Sequence, residues 1–144
     1  MNTPSSVAAT DLDGDGLRDV LAALAADNKI VWWRNLGNGT FGQMTLISDR
    51  VNAPYFVNAA DLNGDGRPEI LSASLNDNKL AWYRNRGGEF GDPATNQEII
   101  SPHVIGPFSM ATADFNRDGV IDVASASQDD SKVADTWNNL GEVL

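Results

Sequence analysis

Asp11-Leu12-Asp13-Gly14-Asp15-Gly16-Leu17-Arg18-Asp19 places a carboxylate at the first, third, fifth and ninth positions of a nine-residue stretch and a glycine at the sixth. The spacing recurs twice, as Asp61-Leu62-Asn63-Gly64-Asp65-Gly66-Arg67-Pro68-Glu69 and as Asp114-Phe115-Asn116-Arg117-Asp118-Gly119-Val120-Ile121-Asp122. Oxygen-bearing side chains keep their places while the residues between them change. Clusters of Asp, Asn and Gly ordinarily mark turns. Turn chemistry does not require alternate oxygens, however, whereas a hard cation held by a short loop does. Gly16, Gly66 and Gly119 stand where such a loop must bend sharply, and the bend lets the carbonyl of Leu17, Arg67 or Val120 turn toward an ion. The three stretches read as calcium loops, about three ions in all with one per loop. Magnesium, which retains its waters, suits an all-protein cage less well.

The first half of each loop is like that of an EF-hand, but the bidentate Glu that closes an EF-hand at the twelfth position is here Ala22, Ser72 and Ser125. Closure by an acid at the ninth position argues for loops between strands rather than between helices. Lys29, Lys79 and Lys132 each follow their loop by eighteen residues, and the loops begin 50 and then 53 residues apart. A unit of that size signals a repeat architecture. Each unit divides into four short strands: one before the loop (6–10, 56–60, 108–113), one after it (19–25, 69–75, 122–127), a Trp-bearing third, and a fourth at 41–47 and about 98–100. In the first copy the second strand, Val-Leu-Ala-Ala-Leu-Ala-Ala, has helical propensity. The serines of the other two copies suit a closely packed strand, and equivalent repeats share one structure. Turns at Asp27-Asn28, Asp77-Asn78, Gly37-Asn38-Gly39 and Gly87-Gly88 fit hairpins between the strands.

The loop, followed by Asp-Asn-Lys-Ile-Val-Trp-Trp-Arg-Asn-Leu-Gly-Asn-Gly-Thr-Phe-Gly (27–42), resembles the FG-GAP/VCBS repeat, the blade unit also found in the integrin α-subunit propeller. The resemblance covers nearly all of 6–140. It implies an all-β chain, one repeat domain over 1–144, with four-stranded propeller blades at about 6–50, 55–101 and 107–144. It also implies side-chain ligands at Asp11, Asp13, Asp15 and Asp19, at Asp61, Asn63, Asp65 and Glu69, and at Asp114, Asn116, Asp118 and Asp122. Closed propellers usually have four to eight blades. Three therefore imply a partial ring, completed by self-association or by additional blades. The third copy departs from the pattern: Lys-Val-Ala-Asp-Thr-Trp-Asn-Asn (132–139) has one residue more than its counterparts, which predicts a bulge in its third strand.

The formal charge is −10, with 42% hydrophobic and 21% charged residues, as suits a globular chain. Ten of the twenty acids lie in the loops, and three calcium ions would bring the charge to about −4. Without a basic patch, nucleic acid is not an expected partner. There is no cysteine, no signal-peptide pattern at the start, and no run approaching the ~18 apolar residues of a membrane span.

Trp32, Trp33, Trp82, Tyr83 and Trp137 could stack on sugars, but adjacent strand residues face opposite ways, so one of each pair is expected between blades with its neighbour flanking the sheet. Arg34 and Arg84 are expected to pair with an acidic loop of the same or next blade. His103, the only histidine, lies in a Pro-rich connection and is read as having no role. A carboxylate that binds calcium is poorly suited to acid–base work, and no enzymatic activity is expected. The expected function is a calcium-stabilised binding module for protein–protein or adhesion-type recognition. Alternatives are a lectin-like module or a non-catalytic accessory part of a secreted hydrolase or lyase. The resemblance and the suitability of such loops for millimolar calcium imply an extracellular or cell-surface setting.

Overall fold

The computed structural model describes residues 3–101 and 104–129 and the backbone of 132–138 and 142–143. Every element is a strand, and the strands form three four-stranded antiparallel sheets, each a meander in chain order. The first sheet comprises β1 (Pro4–Thr10), β2 (Asp19–Leu24), β3 (Lys29–Asn35) and β4 (Phe41–Ser48). The second comprises β5 (Pro54–Ala60), β6 (Glu69–Ser74), β7 (Lys79–Tyr83) and β8 (Gln97–Ser101). The third comprises β9 (Pro107–Ala113), β10 (Asp122–Ser127), β11 (Lys132–Asn138) and β12 (Glu142–Val143).

The second strands lie inside their sheets, and that of the second sheet is packed on both faces. All six residues of β6 are buried, which is why this stretch reads as a run of small and apolar residues without alternation. The same burial overrides the helical propensity of β2. The first strands begin earlier than the sequence predicts, at Pro4, Pro54 and Pro107, because proline is tolerated at the first position of a strand. Each then skips one residue in register, at Ser5, Tyr55 and Phe108. Tyr55 and Phe108 are thereby left exposed, with ring centres 5.7 Å apart. The extra residue of the third copy produces the expected bulge: Ser125 alone lies opposite Ala134 and Asp135.

Packing runs from the first sheet to the second and from the second to the third through the innermost strands β1, β5 and β9, and it does not close into a ring. Leu21, Ala23, Ile30 and Trp32 of the first sheet meet Val57, Ile70, Ala81, Tyr83 and Phe90 of the second. One repeat further on, Leu71, Ala73, Leu80 and Trp82 meet Met110 and Val123. The expectation for the aromatics needs correction here. Trp82 and Tyr83 are adjacent and do face opposite ways, but both faces of the second sheet are covered, so both rings are buried. Trp33, the counterpart of Tyr83, packs on Ala22, Leu24 and Val31 over the uncovered face of the first sheet. Trp137 and His103 lie outside the residues whose side chains are described.

Candidate metal centre

Each loop connects the first strand of a sheet to the second, and in each the carboxylates fold the backbone by accepting its N–H groups. In the first loop Asp11 Oδ1 accepts from Gly14 N at 2.7 Å and Asp15 N at 3.2 Å, and Oδ2 accepts from Gly16 N at 2.8 Å. Asp13 Oδ1 accepts from Asp15 N at 3.2 Å, and Asp15 Oδ1 from Leu17 N at 2.9 Å. The second loop repeats this with Asp61, Asn63 and Asp65. In the third, Asp114, Asn116 and Asp118 accept from Asp118 N, Gly119 N and Val120 N. Gly16, Gly66 and Gly119 take φ of 86°, 84° and 90°, turning the chain just before Leu17, Arg67 and Val120.

These bonds use one oxygen of the third- and fifth-position side chains. In the first loop carboxylate oxygens of Asp11, Asp13 and Asp15 lie within 4.8 Å of one another. All the donors are hard oxygens on a preformed turn, which fits calcium. Burial raises the pKa of Asp13, whereas the Leu17 N–H and then the Arg34 guanidinium hold that of Asp15 down. Arg34 Nε contacts Asp13 Oδ2, and its Nη2 lies 3.0 Å from Asp15 Oδ2, which is the pairing expected within one repeat. Arg84 is exposed and makes no ion pair among the described residues. In the second loop the Asn63 amide takes that place, donating to Asp65 Oδ2 at 3.2 Å and Glu69 Oε1 at 3.1 Å. The Asn116 amide likewise donates to Asp118 Oδ2 at 2.9 Å.

The ninth-position acids sit deeper, and Asp19, Glu69 and Asp122 are fully buried. Asp19 Oδ2 accepts from Leu12 N at 2.9 Å and Oδ1 from Asn35 N at 2.8 Å, so this side chain ties the loop to the end of β3. Glu69 accepts from Leu62 N at 3.0 Å, and burial raises its pKa. Asp122 Oδ2 accepts from Phe115 N at 2.8 Å.

A family model for the FG-GAP-like repeat matches the chain twice, over residues 11–72 and 61–125. The chain belongs to the FG-GAP-like repeat family. No curated protein matches it. Each matched FG-GAP-like unit runs from one acidic loop through the next, and the structure contains a contact that joins successive loops. Asn85, which is 1% exposed, donates from Nδ2 to Leu12 O of the first loop at 2.8 Å and to Pro68 O of the second at 3.0 Å. Its Oδ1 accepts from Gly88 N at 2.8 Å. A Cβ on Gly88 would stand 3.0 Å from Asp13 Cβ and 3.4 Å from Trp32, so only glycine lets this turn close on the first loop. Sequence reading did not single out Asn85. The available signal was the Arg-Asn pair that ends the Trp strand in both of the first two FG-GAP-like units, at Asn35 and Asn85.

Proposed function

We propose that this chain is part of a calcium-stabilised β-propeller, its three sheets serving as blades of a binding or adhesion-type module rather than an enzyme, in an extracellular or cell-surface setting. The observation that carries the reading is that three loops of different sequence fold on the same carboxylate-to-backbone scaffold. In the first loop that scaffold gathers three carboxylates, which repel one another until a cation neutralises them. Asp11, Asp13, Asp15 and Asp19 would hold one ion, and their counterparts at 61, 63, 65 and 69 and at 114, 116, 118 and 122 two more. Bound calcium supplies charge neutralisation and cross-linking of the loop. The residues themselves fix the turn, leave oxygens unused by the backbone, and tie the loop to the next strand. Ring completion falls to the uncovered face of the first sheet, where Trp33 occupies the place that Tyr83 fills against a neighbouring sheet. Of the aromatics weighed for sugar stacking, Trp32, Trp82 and Tyr83 are buried and offer no face to a sugar, while Trp33 lies on the open face of the first sheet.

The test is thermal unfolding with calcium and with chelator. At a calcium concentration about a hundred times the Kd, one site adds about 2.7 kcal/mol. Asp15→Ala, Asp65→Ala and Asp118→Ala should each lower the melting temperature in calcium and shrink the difference between the two conditions. Three variants that melt like the parent in both would overturn the reading.

A further inference from the structure

We infer that Arg34 is an internal competitor for the cation site of the first loop, occupying that site in the metal-free protein and leaving it when calcium binds. The inference rests on the calcium reading above and concerns which residue sets the affinity of one loop among three.

Asp13 and Asp15 each spend Oδ1 on a backbone N–H, of Asp15 and Leu17 respectively, so Oδ2 is the oxygen each has left for a cation. Those are the two atoms that the guanidinium takes, Nε on Asp13 and Nη2 on Asp15. A planar fork spanning two carboxylates matches their geometry and supplies a full positive charge. It competes with an incoming ion for the same lone pairs. The Arg34 side chain is 54% exposed, and the open cleft beside it gives it room to swing away.

The second loop is arranged differently. Arg84 holds the same place one residue after Tyr83 that Arg34 holds after Trp33, yet it faces solvent, and the neutral Asn63 amide bridges Asp65 and Glu69 instead. In the third repeat the residue after Trp137 is Asn138, which carries no charge. The first loop has four carboxylates where each of the others has three, and a cation is laid across it. Arg34 stabilises the empty loop and thereby weakens its calcium binding.

The experiment is calorimetric titration of the full chain with calcium chloride, with melting in chelator as a second readout. Arg34→Gln should tighten one of the bound equivalents about three- to tenfold, the range expected for losing two partly exposed charge contacts. The same variant should melt lower than the parent in chelator, and Arg84→Gln should change neither quantity. A purely structural arginine would lower the melting temperature without tightening calcium binding. Identical affinities in parent and Arg34→Gln would overturn this inference alone. If neither protein takes up calcium, the proposed function fails and this inference with it.

Discussion

Ala53 adopts φ of 51°, a left-handed conformation that costs an L-residue roughly 1–2 kcal/mol. It is held there because its N–H donates to Asn28 Oδ1 at 2.8 Å in the link between the first two sheets. The next link places Gly106 in the same role, with φ of 64° and its N–H 2.8 Å from Asn78 Oδ1. Ala53→Gly should therefore stabilise the protein by up to about 1 kcal/mol, after the greater freedom of glycine in the unfolded chain is subtracted, as read by urea unfolding. Tyr83 makes a pH prediction. Its hydroxyl bonds to Ser72 and Gln97, and burial raises its pKa above the ordinary 10.0. The unfolded tyrosine ionises first, so the contribution of the buried phenol is complete below pH 10 and is lost as pH rises through the higher folded value. The parent should lose stability above pH 10 more steeply than Tyr83→Phe, which is measurable by denaturant unfolding across that range.

At the level of elements, the turn after β7 matters beyond its own sheet. Asn35 and Asn85 occupy equivalent places, and both brace their own loop, Asn35 through Arg18 O at 3.0 Å and Asn85 through Pro68 O. Only Asn85 also reaches back to a preceding loop, because only the second of these two sheets has a sheet before it. Asn85→Ala leaves two carbonyls without their donor and should cost about 2–3 kcal/mol, whereas Asn35→Ala should cost about 1. Chemical denaturation of the two variants side by side distinguishes them. The four-strand pattern of each repeat was legible, because hairpin turns and a loop of fixed spacing punctuate it. The register skips at Ser5, Tyr55 and Phe108 were not, because a bulge depends on what the neighbouring strand offers.

For the whole molecule, the first sheet leaves an apolar face uncovered among the described residues. Trp33, Val20 and Met44 stand in register across β2, β3 and β4, on the side where Tyr83 and Ile70 of the second sheet meet a neighbour. If this face takes another blade, light scattering in millimolar calcium should give a mass that is a multiple of 15.4 kDa. Trp33→Glu should reduce that mass to the single-chain value without altering the calcium response.

The sequence by itself determined the repeat, the all-β class and the acidic loops, because ligand-like spacing and turn chemistry are local properties that survive changes in the residues between them. Tertiary structure decided what each copy does with that pattern. Trp33 and Tyr83 are equivalent by sequence position, and only the presence of a neighbouring sheet buries one and leaves the other at an open face. Arg34 and Arg84 are likewise equivalent by position, but here the loops themselves differ: Arg34 lies across Asp13 and Asp15, whereas the second loop has the neutral Asn63 in place of Asp13 and Arg84 is turned to solvent. The burial difference arises between repeats, where it depends on residues fifty positions away, and no pattern within a single repeat contains it.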